Sequence, residues 1–391
     1  MTSHAEPRVT LPNIRFNRPA VEGPELDYIA ESVRGGHLSA SGPFTARAAA
    51  LLRMESGAQE ILLTTSCTAA LELSAMLLDL RPGDTVVVPS FTFTSSGLAF
   101  AREGARILFC DIEPVTLGLD PEHLATLMDD TVRAVVPVHY AGVACDMDGV
   151  LAALADWPQV SLIEDNAHGL YGRWRDRPLG SLGRFSTLSF HETKNIVCGE
   201  GGALLVNDER DVDRARVLYD KGTNRQAFFL GQVDKYSWKD NGSSFGMSDI
   251  LAAYLFAQLQ RHTTIQSKRR AVWEHYERLL SPHAAEFGFR LPIVPAHVEQ
   301  AYHMFYVLLP DNATRDAVLK GMGAQGVNPT FHYVPLHNSD GGRRFAARPT
   351  ECPVTEDISS RLLRLPFYNS LTPTDCDRAV DAFLTALRTF T

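Results

Sequence analysis

Two short stretches of this sequence place reactive side chains where an apolar strand ends. The first, Val160-Ser161-Leu162-Ile163-Glu164-Asp165, turns from apolar to acidic and runs on into Asn166-Ala167-His168-Gly169. The second, Phe185 to Asn195, carries Ser189, His191 and Lys194 from an apolar run toward the Gly-rich turn Gly199-Glu200-Gly201-Gly202. Ligands of open α/β sheets bind beyond the carboxyl ends of the strands, so Asp165 and Lys194 stand where a cofactor would lie. Either residue alone has a plainer reading: strand-end Asp forms turns or caps helices, and a lysine in a turn is usually solvated. Together they meet the needs of an electron-sink cofactor that carries an aldehyde. Its pyridine nitrogen stays protonated when a carboxylate faces it, and its aldehyde is tethered to a lysine as a Schiff base. The same amine, once displaced, can shuttle a proton, because burial beside a cationic ring lowers its pKa toward the neutral form. That chemistry belongs to pyridoxal 5'-phosphate (PLP), with Lys194 and Asp165 as its catalytic residues.

Two further stretches fit the same cofactor. Thr65-Ser66-Cys67-Thr68-Ala69-Ala70-Leu71 follows a strand and opens a helix. Orphan amides and the helix dipole, with the Ser66 and Thr68 hydroxyls, then make a phosphate site, although small polar residues here also serve as simple caps. Pro89 to Ser96 ends another strand with aromatics that can lie on a pyridine ring or fill the core. Phosphate, ring-face, ring-nitrogen and aldehyde contacts thus converge on one sheet edge. Other chemistries lack their signatures. There is no G-x-S-x-G elbow, no G-x-G-x-x-G follows the first strands, and His139 has no second ligand at metal spacing, so no metal is expected.

Short β-branched runs alternating with helical periodicity position these residues, the pattern of a parallel sheet with crossover helices. The expected strands are Glu60 to Leu63, Thr85 to Val88, Ile107 to Phe109, Val132 to Val138, Val160 to Ile163, Thr187 to Phe190 and Ala203 to Val206. Helices are expected over Ala69 to Leu80, Asp211 to Asp220, Ser248 to Gln260 and Thr264 to Leu280. Thr223 to Gly246 has no clean period and reads as a long functional loop. Beyond Pro292 and Pro295, a strand (Met304 to Leu309), a helix (Thr314 to Met322), a strand (Val327 to Tyr333) and a terminal helix (Thr374 to Leu387) make a smaller α+β unit. The expected division is a large cofactor-binding domain over 1–265 and a small C-terminal domain over 266–391.

A chain of 391 residues, 45% hydrophobic and 21% charged, has the apolar mass for a core and a second lobe. A net charge of −9 without long Lys or Arg runs argues against nucleic acid and membrane surfaces as partners. Six scattered cysteines without C-x-x-C pairing suggest neither a zinc site nor a disulfide framework, and a cytoplasmic location is expected. The opening residues lack the pattern of a secretory leader, and no apolar run reaches membrane-spanning length.

From Phe16-Asn17-Arg18-Pro19 to Leu363-Arg364-Leu365-Pro366-Phe367-Tyr368-Asn369, the sequence resembles the PLP-dependent nucleotide-sugar aminotransferases of fold type I, the DegT/DnrJ/EryC1/StrS family. The shared stretches are Ser66 to Glu72, Val136 to Cys145, Ser189 to Asn195, Lys221 to Arg225, Gly231 to Tyr236 and Phe331 to His337. The nearest likeness is to the branch serving enterobacterial common antigen synthesis, which aminates C4 of dTDP-4-keto-6-deoxyglucose with L-glutamate. The resemblance implies an α/β, aspartate aminotransferase-like fold. It gives Lys194 the Schiff base, Asp165 the ring nitrogen, Ser189 with Cys67 and Thr68 the phosphate, and Phe93 the ring stack. It further implies a homodimer with a shared active site and a product dTDP-4-amino-4,6-dideoxyhexose, galacto or gluco. His168 stands where the family usually has Gln, near the cofactor's phenolic oxygen, and its charge depends on pH. Gly242-Ser243-Ser244-Phe245-Gly246 replaces a Gly-Tyr-Asn-Tyr-Arg loop, leaving Ser244 to reach the partner's phosphate. Lys221, Arg225 and Lys235, with His332, Tyr333 and His337, are the candidates for the sugar and its diphosphate. Three alternatives stand beside this reading: a C3-directed aminotransferase, a sugar dehydratase and a catalytically silent regulatory homologue. The family's dehydratases replace the lysine with His, so Lys194 counts against the second, and intact Lys194 and Asp165 disfavour the third.

Overall fold

The computed structural model describes residues 12–229 and 231–390; the opening stretch read for a secretory leader lies outside them. Seven runs rich in Val, Ile and Leu pair side by side: β1 (Glu60–Thr64), β2 (Thr85–Pro89), β3 (Arg106–Cys110), β4 (Val132–Val135), β5 (Ser161–Asp165), β6 (Phe185–Ser189) and β7 (Gly202–Val206). Across the sheet the order is β1-β7-β6-β5-β4-β2-β3. β7 is antiparallel to both of its neighbours and the other pairs are parallel. Successive strand residues point to opposite faces, so the burial of every residue of β2, β5 and β7 requires cover on both sides.

Helices supply that cover. On one face α3 (Cys67–Leu77) and α4 (Ser95–Arg102) pack with Val86, Val88, Ile107 and Leu204. On the other, Tyr28 of α1 (Glu25–Gly35), Leu52 of α2 (Pro43–Ser56) and Phe256 of α5 (Asp249–Gln260) pack in one cluster with Ile61, Leu63 and Leu205. The long α6 (His262–Leu280) passes from this core to the next: Ile265 packs with α5, whereas Val272, Trp273 and Tyr276 pack in a second cluster. That cluster surrounds a small antiparallel sheet of β8 (Tyr306–Leu308), β9 (Thr330–Phe331) and β10 (Leu362–Arg364), ordered β8-β10-β9. α7 (Asn312–Ala324) and α8 (Pro373–Phe390) cover it. Ile14 joins the same core and bridges in parallel to Val327. Among the described residues no helix is long and apolar enough to cross a membrane.

The expected strands of the large sheet all form, with corrections at their ends. Val132 to Val138 closes at Val135, because Pro137 has no N–H for the ladder, and only an isolated bridge joins Val138 to Asp165. Val327 to Tyr333 shrinks to Thr330–Phe331 for the same reason, with Pro329 between the Val327 bridge and the strand. The loop from Thr223 contains a short helix, Arg225–Phe229. β10, the central strand of the small sheet, was not anticipated: three residues starting Leu-Leu-Arg are too few to show a period.

Candidate active site

The carboxyl ends of the parallel strands open on a cavity of about 470 Å³. Ser66, Cys67, Thr68, Phe93, Asp165, His168, Ser189, Lys194, His332 and Tyr333 all line it. Sequence positions spread over more than half the chain therefore meet at one place.

Asp165 is the last residue of β5 and only 6% exposed. Ser96 Oγ donates to its Oδ2 at 2.7 Å, Thr92 Oγ1 lies 2.8 Å from Ser96 Oγ, and the Ala167 amide donates to Oδ1 at 3.2 Å. The Ser96 hydroxyl of α4 and the Ala167 amide, both neutral donors, thus fix the carboxylate's direction. Its neighbour Glu164 serves a different purpose. Glu164 accepts from the amides of Gly180, Leu182 and Gly183 at 2.8, 2.6 and 2.8 Å and lies 3.0 Å from His139 Nε2, with both side chains fully buried. Burial alone would lower the His139 pKa; contacts with Cys145 and Glu164 outweigh it and raise the pKa to about 10.

Lys194 follows β6 in a tight turn closed by its amide and the His191 carbonyl at 2.9 Å. Burial lowers its amine to about 8; Cys67 and Asp165 oppose that shift and the Arg364 cation adds to it. At the same wall, Ser66 caps α3 by accepting from the Ala69 amide at 3.0 Å, and Thr68 Oγ1 lies 2.7 Å from Ser95 Oγ. Gly202 lets β7 pass close behind this helix start, since a Cβ there would meet Cys67 N and the Ser66 carbonyl carbon at 2.4 Å. Burial, with Asp165 beside it, pushes the Cys67 thiol up to about 12, which keeps it protonated and unreactive.

The opposite wall comes largely from the small lobe. His303 stacks on His168 with ring centroids 4.1 Å apart and 13° between planes. Asn195, the residue after Lys194, donates through Nδ2 to the Ala301 carbonyl at 2.5 Å, so its Oδ1 accepts from His303 Nδ1 at 2.8 Å. Burial and the nearby cations hold both histidines well below their ordinary pKa. The pH-dependent charge considered for His168 is thereby suppressed in favour of a neutral ring. His332 lies between Tyr140 Oη at 3.0 Å and Arg364 Nη1 at 2.8 Å.

Other expected positions lie outside this cavity lining. Asp220 engages Lys221 Nζ at 3.0 Å and Arg225 Nε at 3.1 Å, and Lys235 is exposed in the following loop. His337 bridges Ser90 Oγ at 2.6 Å and Glu356 Oε1 at 3.1 Å, which joins the lobes. Ser244 forms an isolated bridge with Asp220. Phe93 lines the cavity but is 60% exposed. Sequence reasoning passed over Ser96, Tyr140, His303 and Arg364. Arg364 left one signal, a charge inside the apolar run Leu362 to Pro366.

These residues fit PLP: a directed carboxylate for the ring nitrogen, a lysine amine of lowered pKa for the aldehyde, and a capped helix start with hydroxyls for the phosphate. His168 Nδ1, buried without a hydrogen-bond partner among the described residues, leaves a polar atom for a bound group to satisfy.

Comparison with known proteins agrees. Residues 19–384 match the DegT/DnrJ/EryC1/StrS aminotransferase family. The spore coat polysaccharide biosynthesis protein SpsC of Bacillus subtilis is 30% identical over 376 residues, 94% of this chain and 95% of that protein. The aminotransferase TlmJ of Streptoalloteichus hindustanus superposes with a TM-score of 0.88 at 29% identity, over 96% of this chain and 99% of its own. A sugar aminotransferase of Streptococcus pneumoniae, Spr1654, solved in its pyridoxamine phosphate form, shares the fold with a TM-score of 0.89 at 22% identity, covering 97% of this chain and all of its own. With the family matched from Pro19 almost to the C-terminus and the residues expected to hold its cofactor lining one cavity, this chain is a PLP-dependent aminotransferase of the DegT/DnrJ/EryC1/StrS family.

Proposed function

We propose that the chain moves an amino group from L-glutamate to C4 of a dTDP-4-keto-6-deoxyhexose, giving a dTDP-4-amino-4,6-dideoxyhexose and 2-oxoglutarate. The observation that carries the transfer chemistry is Lys194, a lysine lowered to about 8 in a cavity it shares with Asp165. A polysaccharide-biosynthesis relative at 30% identity supports a sugar acceptor, and the stretches shared with the common-antigen branch support C4 and the dTDP group.

When bound, PLP supplies the electron sink that makes loss of the donor's Cα proton accessible. Lys194 Nζ, neutral above its lowered pKa, takes that proton in the donor half-reaction and returns one to sugar C4 in the acceptor half-reaction. Asp165, held by Ser96, keeps a proton on the ring nitrogen through both halves. The stacked neutral histidines and Tyr140 exclude water from one side. A second copy of the chain completes each site in this proposal, with Ser244 directed to the partner's phosphate site. Lys221, Arg225 and Lys235 meet the sugar diphosphate once the partner reorders the loop, Asp220 holding the first two meanwhile. The cytoplasm, where nucleotide sugars are made, is the proposed location.

Incubation of the enzyme with dTDP-4-keto-6-deoxyglucose and glutamate, followed by NMR of the product, tests this. A C4-bound amine with one 2-oxoglutarate per sugar is expected. An amine at C3, or an unchanged sugar with active PLP-form enzyme, would overturn it.

A further inference from the structure

A second cavity, of about 530 Å³, lies apart from the cofactor site, where residues 12–18 cross the small lobe. Pro12, Asn13, Arg15, Arg18, Asn328 and Tyr368 line it, and no carboxylate is among them. Elsewhere on this acidic chain exposed arginines find acids, as Arg210 does in Asp208 and Arg343 in Asp340. Arg15 and Arg18 are exposed and make no ion pair or hydrogen bond among the described residues.

The backbone beneath these two side chains is fixed. Ile14, 1% exposed, donates its amide to the Gly326 carbonyl at 2.9 Å and accepts from the Asn328 amide at 3.0 Å. The Phe16 carbonyl accepts from the Phe367 amide at 3.0 Å, and Asn17 Nδ2 donates to the Glu192 carbonyl at 3.0 Å. The segment is thus pinned on both sides of Arg15 and directly before Arg18. Both cations also act on one phenol: burial raises the Tyr368 pKa, and Arg18 and Arg15 pull against that shift. Asp375 acts on the same phenol from α8, but it accepts from the Thr372 amide and hydroxyl at 3.3 and 2.7 Å and faces Arg378 at 3.8 Å. Arg378 in turn donates to the Pro12 carbonyl at 3.2 Å, so the charge around this cavity is positive on balance.

A positive recess on a chain of net charge −9 concentrates anions where the rest of the surface repels them. Guanidinium forks match phosphate oxygens, and the Asn13 and Asn328 amides and the Tyr368 hydroxyl add neutral donors. One fork suits one phosphoryl group; two forks held on one short segment suit two. We propose that Arg15 and Arg18, with Asn13, Asn328 and Tyr368, form a diphosphate-binding site separate from the cofactor cavity.

Calorimetric titration of the PLP-loaded enzyme with inorganic pyrophosphate tests this with the cofactor's own phosphate site already filled. Combining Arg15→Gln with Arg18→Gln should weaken pyrophosphate at least about tenfold, and combining Arg15→Lys with Arg18→Lys should recover part of the loss. Asn328→Asp, which puts an anion on the cavity wall and leaves both guanidiniums in place, should weaken it too, and it covers the case in which the double variant does not fold. Lys221→Gln with Lys235→Gln, in the loop proposed for the sugar diphosphate, should keep the site. Titration with dTDP separates the sources: affinity no better than that of pyrophosphate assigns the site to free diphosphate, whereas tighter binding that is lost with Arg15 and Arg18 assigns it to a nucleotide. Equal pyrophosphate affinity in wild type and the double Gln variant would overturn the proposal. So would loss of binding with Lys221 and Lys235 instead, or succinate bound as tightly as pyrophosphate. None of these readouts depends on transamination.

Discussion

Glu164 and Asp165 are adjacent at the end of β5, yet their carboxylates serve opposite sides of the sheet. Asp165 turns to the cavity and takes a 2.7 Å bond from Ser96, whereas Glu164 turns away to His139 and three backbone amides. Strand alternation puts one acid in the chemistry and the other in the scaffold that aims it.

Asp165→Asn should therefore lose catalysis without losing the fold. A hydrogen bond to a charged group is worth about 1.5–3 kcal/mol, so kcat should fall roughly ten- to hundredfold. Stopped-flow measurement of the glutamate half-reaction, alongside an unchanged thermal midpoint, checks this. A kcat within about twofold of wild type would remove Asp165 from the ring nitrogen.

For Glu164→Gln the expectation reverses. Breaking a fully buried ion pair costs about 3–5 kcal/mol. His139 is raised in the folded state to about 10, so its stabilising contribution is fully present below its ordinary 6.5 and is lost as pH rises through 10. Denaturant unfolding should show the gap between wild type and Glu164→Gln largest near pH 6 and smaller toward pH 10. A gap that widens with pH would contradict the assignment of charge to His139.

Capture of the cofactor should follow the Lys194 amine. Its pKa is lowered from 10.5 to about 8, so the neutral, nucleophilic fraction is small well below pH 8 and nearly complete above it. Apo-enzyme mixed with PLP should acquire its absorption band at a rate that rises with pH and levels off just above 8. A rate still climbing toward 10.5 would mean that burial does not lower this amine.

Most of this site was legible because its residues sit on strong local signals. β5 and β6 are apolar runs bounded by charge, and Ser66 to Thr68 open a helix directly after β1, so strand ends and helix starts could be placed from pattern alone. His303 and Arg364 carry no such signal. They come from short strands and connections of the small lobe, and only the packing of that lobe against the large one brings them to His168 and Tyr140. The surroundings of the loop cations were hidden for a related reason: sequence shows Lys221 and Arg225 but not that Asp220 pairs with both. Pro137 and Pro329 interrupt runs whose β-branched residues alone would carry the strands further.

The central claim is that Lys194 holds the cofactor. Borohydride reduction of the PLP-loaded enzyme, followed by digestion and mass spectrometry, tests it most directly. The account predicts one pyridoxyl group per chain on the peptide carrying Lys194, and none when the experiment is repeated with Lys194→Ala. A pyridoxyl group on another lysine of the wild type, or equal labelling of Lys194→Ala, would contradict it.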